Sequence, residues 1–265
     1  MDVYFKYGQE DICLKVPDTS TVYTSDYHYE HRCANELLLE SIINPAGSMP
    51  LAELLKKRRR GNVVIVVSDI TRPIPYRSFL PALLEFIINE GVRKEEIIIV
   101  VATGMHRAST LEEKKYMFGQ LVVDQFTIID HNAEDDDMLL AVEGKSWSGT
   151  NIKLNRHYVE AGFRILTGLV EPHFMAGFSG GRKAICPGLA SLQTIQMFHG
   201  YGFLSHPDAS NAVLENNPCH LENTSVARLC PADFSVNIVL DQKKNLNKII
   251  SGDQFLSHEI GRAHV

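Results

Sequence analysis

Short, wholly apolar runs of β-branched residues, alternating with helical stretches, leave this chain few architectures to choose from. Val63, Val64, Ile65, Val66 and Val67 form one such run, and residues 97–101 form another. Between them, residues 76–90 carry apolar side chains at helical spacing and stop at Gly91. A strand buried on both faces, a helix and a second buried strand make one βαβ unit. The pattern continues: Thr110-Leu-Glu-Glu113 has capping-box sequence, and residues 126–129, 163–167, 236–240 and 249–250 read as further strands. The expected fold is α/β, a mostly parallel Rossmann-like sheet with helices on both faces. Residues 2–16 alternate loosely and break at Tyr7-Gly8 and at Val16-Pro17, which adds a small N-terminal β-hairpin.

With 265 residues and 45% hydrophobic content, the chain can bury a large core. A formal net charge of −6 gives no general attraction to nucleic acid or to anionic membranes. The one dense basic run, Lys56-Lys-Arg-Arg-Arg60, closes an apolar stretch and precedes Gly61, so it is expected to end a helix with Gly61 at its C′ position. Five scattered cysteines without a Cys-x-x-Cys pair argue against a disulfide framework and a sulfur-ligated zinc site, and favour a reducing, cytoplasmic setting. No signal-peptide pattern opens the chain, and no apolar run approaches membrane-spanning length.

Each chemistry-bearing segment falls just past the carboxyl end of an expected strand, the edge where open α/β sheets bind ligands. Ser68-Asp-Ile-Thr-Arg-Pro73 follows the first strand, Thr103-Gly-Met-His106 the second and Asp130-His-Asn132 the third, with Glu171-Pro-His173 shortly after the fourth. Asp69 and Arg72 can pair across the turn set by Pro73 and Pro75, and a paired arginine can still present its fork to an anion. His106 and His173 are either loop histidines or proton carriers near neutral pH. His131 reads as a satisfied turn histidine, and the acidic run 134–137 as a solvated loop. Glycines 177, 180 and 181 allow close backbone approach to a ligand and offer N–H groups to an anion. Lys183 either neutralises a phosphate or, desolvated beside Arg182, has a lowered pKa and acts as a nucleophile or covalent anchor. His199 lies among apolar neighbours and is a core residue or a ligand.

Taken together, these segments resemble the nickel-dependent lactate racemase family. The matching stretches are Asn44-Pro-Ala-Gly47, Ser68-Asp-Ile-Thr-Arg-Pro73, Ala102-Thr-Gly-Met-His-Arg107, Asp130-His-Asn132, Glu171-Pro-His173, Gly177-Phe-Ser-Gly-Gly-Arg-Lys183 and Pro187-Gly-Leu189, spread from about residue 5 to 259. The resemblance implies a nickel-pincer nucleotide, a pyridinium mononucleotide whose two sulfur-containing arms and one ring carbon hold the metal. On that resemblance Lys183 joins the cofactor through a thioamide, His199 completes nickel coordination, and Asp69, Ile70, Thr71 and Arg72 form a cofactor-binding segment. His106 and His173 match the two catalytic histidines, one on each side of a 2-hydroxy acid substrate. It also implies cofactor-maturation proteins as partners. Hydride removal suits such a substrate, because removing the Cα proton would place negative charge beside an existing carboxylate.

The family continues into a second domain that this chain does not contain, so residues 1–259 are expected to be its N-terminal catalytic and cofactor-binding domain. The last six residues, Ile260-Gly-Arg-Ala-His-Val265, match what a common sequencing-adapter sequence encodes and are expected not to be biological. Two other functions compete with racemisation. One is a non-catalytic nucleotide-binding module that uses the glycine-rich loop. The other is a zinc hydrolase built from His106, His173 and His199, which lacks the usual helical histidine pair or a nearby carboxylate ligand.

Overall fold

The computed structural model describes residues 1–7, 10–22, 32–241 and 243–265. Strands β1 (Asp2–Tyr7) and β2 (Glu10–Lys15) form the expected antiparallel hairpin, while Gly8, at its predicted break, lies outside the described residues. Helices α1 (Ala34–Ile43) and α2 (Leu51–Lys56) lead into β3 (Val63–Ser68), α3 (Tyr76–Asn89) and β4 (Ile97–Ala102). Next come α4 (Leu111–Phe118), α5 (Gln120–Gln125), β5 (Thr127–Asp130), the hairpin β6 (Leu139–Lys145) and β7 (Asn151–Asn155), α6 (Arg156–Val159) and β8 (Phe163–Leu169). The two-residue strands β9 (Pro172–His173) and β10 (Gly177–Phe178) precede α7 (Leu192–Phe198), α8 (Tyr201–Leu204) and α9 (Pro218–Leu229). Strands β11 (Phe234–Leu240) and β12 (Leu246–Gly252) and helix α10 (Leu256–Arg262) complete the order.

The central sheet runs β12-β11-β8-β3-β4-β5, with β12 antiparallel to β11 and the other neighbours parallel. Strand alternation divides the core in two. Val63, Ile65, Val67, Ile97, Ile99 and Val101 pack against α1 to α5, whereas Val64, Val66, Ile98 and Val100 face α6, α7, α9 and the chain after β10. Thr110 caps α4 in the predicted capping box with Glu113.

The basic run departs from expectation. Helix α2 ends at Lys56 and closes with tightened bonds, Lys57 N–H to Leu54 O at 3.0 Å and Arg58 N–H to Leu55 O at 3.3 Å, so Gly61 is not its C′ residue. The charges are used locally. Lys56 pairs with Glu90 at 3.4 Å, Arg58 with Glu96 at 3.6 Å, and Arg59 donates to Ala161 O at 3.1 Å. Among the described residues, no helix is long and apolar enough to cross a membrane.

The chain builds β3, β4 and β5 outward in one direction and then returns to lay β8 on the other side of β3, which makes the β3–β8 boundary the topological switch point. Here the sheet opens. The β3–β4 ladder continues to Ser68–Ala102, but the β3–β8 ladder stops at Val66–Leu166. The Tyr76 hydroxyl stands in the gap, accepting from the Ser68 N–H at 2.6 Å and lying 3.0 Å from the Thr167 hydroxyl, which donates to Val66 O at 2.8 Å. Because the Thr167 proton goes to Val66, Tyr76 is the donor in its bond to Thr167. Burial pushes the Tyr76 phenol above its ordinary pKa, so it keeps that proton. Tyr76→Phe strands the Ser68 amide, with an expected loss of about 1 to 3 kcal/mol measurable by chemical denaturation. An unchanged denaturation midpoint would show that the wedge contributes nothing to stability.

Candidate active site

The ends of β3, β4 and β8 and the turn after β10 enclose a cavity of about 390 Å³, within the range of small-molecule sites. Asp69, Thr71, Arg72, His106, His173, Lys183 and His199 all border it. Ile70 does not; its side chain is 38% exposed and lies outside the cavity lining. Of the three glycines marked in the sequence only Gly180 borders the cavity. A side chain at Gly177 would strike Val213 O at 2.3 Å, and Gly181 abuts the His258 ring, so these two serve packing.

Asp69 and Arg72 do not pair with each other. Asp69 is buried and accepts from the Thr71 hydroxyl at 2.6 Å and amide at 3.2 Å, and its other oxygen lies 2.6 Å from Nδ1 of His106. Arg72 instead reaches Glu171, 3.4 Å away on the far side of the switch point. The Asx-type turn explains this: its bonds to Thr71 hold the Asp69 carboxylate, and the free oxygen faces the β4 loop. A carboxylate accepts only, so Nδ1 of His106 carries the hydrogen and Nε2 is the basic nitrogen.

His173 is held the opposite way. Its Nδ1 accepts from the amides of Met175 and Ala176, each at 3.3 Å, which leaves the hydrogen of the neutral ring on Nε2. The ring stacks on Phe174 with centroids 4.7 Å apart. Burial first, then the positive charges of Lys183 and Arg72, hold its pKa down to about 3. The two histidines therefore enter the cavity in different states, one as acceptor and one as donor.

Lys183 lies in the short 3₁₀ turn Gly181–Ala184, entered through Gly180 at φ 79°. Burial, with Arg72 and Arg182 nearby, holds its ammonium down to about 7, so much of it is a neutral, nucleophilic amine at neutral pH. His199 caps the end of α7 and is exposed, not a core residue as its apolar neighbours in sequence allowed. Its ring meets Phe198 edge-on at 5.2 Å, and partial desolvation together with Lys183 lowers its pKa, so it offers a neutral imidazole. Among the described residues no three His, Cys, Asp or Glu side chains gather as a metal-ligand group. The cavity lining thus combines the accessible His199 imidazole with the buried Lys183 amine.

Asp130-His-Asn132 is taken up by structure. Asp130 pairs with Lys114 and accepts from the Ser109 amide at 2.9 Å. His131 is buried, donates from Nε2 to Ala190 O at 2.9 Å and accepts from Asn155 at 3.2 Å. The acidic run after it is mostly exposed. Sequence reasoning missed Glu171 as the partner of Arg72, and the amides of Met175 and Ala176 that fix His173. The first had a visible signal, the carboxylate two residues before His173, while backbone donors carry none.

The chain is similar to several known proteins. Residues 7–212 match a family model described as the lactate racemase N-terminal domain. The chain is 33% identical over 261 residues to a lactate racemase of Thermoanaerobacterium thermosaccharolyticum, covering 97% of this chain and 60% of that protein. It is 37% identical over 226 residues to a lactate racemase of Lactiplantibacillus plantarum, covering 85% of this chain and 52% of the relative. The chain therefore spans little more than half the length of these curated relatives. The structure of the lactate racemase apoprotein from T. thermosaccharolyticum superposes with a TM-score of 0.88 at 32% identity, over 100% of this chain and 62% of that one. A Thermotoga maritima protein shares the fold, with a TM-score of 0.67 at 22% identity over 81% of this chain and 56% of its own.

The Lys183 amine should acylate at a rate that falls as pH drops through about 7, read by peptide mass spectrometry. Arg72→Gln removes one of the charges that depress it and should move that midpoint upward. A lysine that reacts only near its ordinary pKa in both proteins would refute the buried-amine description.

Proposed function

The chain belongs to the lactate racemase N-terminal domain family, and from that premise we propose that its cavity handles the cofactor and the protons of a 2-hydroxy-acid racemase or epimerase. The observation that carries this is the pair of oppositely prepared histidines, His106 and His173, lining one cavity with a neutralised lysine and an accessible imidazole. The residues fit the cofactor that the resemblance implies: Lys183 as the covalent anchor, His199 as the protein ligand to nickel, and Asp69, Thr71 and Arg72 along the nucleotide segment. Ile70, outside the cavity, contributes through its backbone position in that turn. A nickel-pincer nucleotide, when bound, would supply reversible hydride acceptance from the substrate Cα.

The chain's own residues manage the hydroxyl proton. With Asp69 on Nδ1, His106 takes that proton at Nε2, and the imidazolium formed rests against the carboxylate. On the opposite face His173 supplies the proton to the substrate oxygen, or takes it when the other enantiomer reacts. For this its pKa must rise from about 3, and two of the three leading causes of its depression are removable. Acylation of Lys183 abolishes that charge, and an anion on Arg72 offsets the other. His173 must also release its two amide contacts, which at 3.3 Å are long. Arg72, already shared with Glu171, holds an anionic group of substrate or cofactor at the same time. The two exposed and three buried cysteines are all free, in keeping with a reducing compartment, and we place the protein in the cytoplasm with the cofactor-maturation proteins as partners.

In protein carrying the matured cofactor, His106→Ala and His173→Ala should each lower racemisation by roughly 100- to 10,000-fold while covalent mass and nickel are retained. Full activity in either variant would reject the two-histidine scheme. Lys183→Arg should lose the covalent mass; nucleotide binding that survives without nickel or turnover would favour the non-catalytic module. A substrate deuterated at Cα should keep its label during turnover, whereas washout to solvent would indicate proton abstraction. In the protein without cofactor, Lys183→Gln should raise the His173 pKa, followed by NMR titration; an unmoved value would remove the charge coupling.

A further inference from the structure

Behind the glycine turn lies a second cavity, of about 220 Å³, that shares no lining residue with the first. Arg182 reaches it, although Lys183 next door lines the front. The 3₁₀ turn Gly181–Ala184 explains the divergence, because three residues per turn set successive side chains about 120° apart. Arg182 is only 2% exposed. His258 donates from Nε2 to Ser179 O at 2.8 Å, so its Nδ1 is the nitrogen that accepts from Nη1 of Arg182 at 3.2 Å. Among the described residues, Nε and Nη2 of Arg182 have no hydrogen-bond partner. Those two nitrogens form the side-on edge of the guanidinium, which matches the paired oxygens of a carboxylate or phosphate.

We infer that Arg182 builds, with His220, Thr224 and Arg228, a separate binding site for a small oxyanion of the carboxylate or phosphate class. The surroundings favour negative charge. His220, Thr224 and Arg228 border the cavity, and Gln254 is committed to the backbone, accepting from Ala232 N–H at 3.1 Å and donating to Ala227 O at 3.3 Å. The one carboxylate on the wall, Glu259, is 67% exposed and faces Arg262 at 3.8 Å, so it does not compensate Arg182. Burial first, then the charges of Arg182, Arg262 and Arg228, hold His220 down to about 4. A buried guanidinium with three of its five N–H donors unused is costly, and an oxyanion on its unpaired edge supplies both the hydrogen bonds and the counter-charge. Arg262 also borders the cavity but faces Glu259, and the site is assigned without it.

The test uses thermal unfolding in sodium phosphate or sodium acetate against chloride of equal ionic strength, together with the Arg182 Nε–H signal of ¹⁵N-arginine-labelled protein. Phosphate, acetate or both should raise the unfolding midpoint and shift that signal; which of them does so identifies the oxyanion. The midpoint effect should vanish in Arg182→Met, and both effects should persist in Lys183→Met and Arg262→Ala. Replacing a buried charge with an apolar chain of similar length is tolerated in folded cores, and should Arg182→Met fail to fold, the Nε–H shift in Lys183→Met decides. The inference is overturned if neither anion moves the Arg182 signal, or if the midpoint effect survives in Arg182→Met.

Discussion

The Tyr76 hydroxyl, set between β3 and β8, is the contact on which the rest of the site depends. A parallel sheet that zipped to its end at this boundary would bring the segments after the two strands together and close the crevice. Tyr76 takes the Ser68 amide, and Thr167 takes the Val66 carbonyl, so the backbone stays satisfied while the strands part. The opening is thus stabilised by hydrogen bonds and does not rely on unpaired backbone. Asp69 begins where β3 leaves the ladder, and Glu171 and His173 follow β8, which is why residues about a hundred positions apart share one cavity.

Burial together with positive charge sets the chemistry inside. Added to burial, Arg72 and Arg182 help Lys183 lose its proton near neutrality, and Lys183 and Arg72 help His173 resist gaining one. Each depression follows from burial with like charge, so each relaxes when a cation is neutralised or an anion enters. A carboxylate stands behind Nδ1 of His106. The asymmetry of the two histidines therefore arises from their partners, Asp69 for one and backbone amides for the other, and not from the histidines themselves.

Much of this was legible in the sequence. The apolar runs located β3, β4, β5, β8 and β11 to within a residue or two, but 249–250 marked only the middle of β12. The strand-end positions of Asp69, Arg72, His106 and His173 followed from the same pattern. Partner choice did not follow. Local spacing allowed an Asp69–Arg72 pair, but Thr71 turns the carboxylate toward β4, and Glu171 draws the arginine across the switch point. Gly61 looked like a helix terminus because basic residues preceded it, yet α2 ends earlier and the basic side chains pair with Glu90 and Glu96. Strand β6 was missed because only Leu139 among its residues is buried, whereas β7 alternates but is only five residues long.

Arg182 and Lys183 show how far adjacency in sequence can mislead about charge. Read as a pair, they double the positive potential of one phosphate cradle. The 3₁₀ turn separates them, and only Lys183 borders the front cavity. Arg182 acts on that cavity through space, as one of the charges that lower the Lys183 pKa, while its donors serve the rear. A long α-helix would place neighbours 100° apart on a continuous surface, still facing solvent. Here, both side chains are driven inward on opposite sides of a turn entered through Gly180 at φ 79°, and one dipeptide supplies charge to two separate cavities.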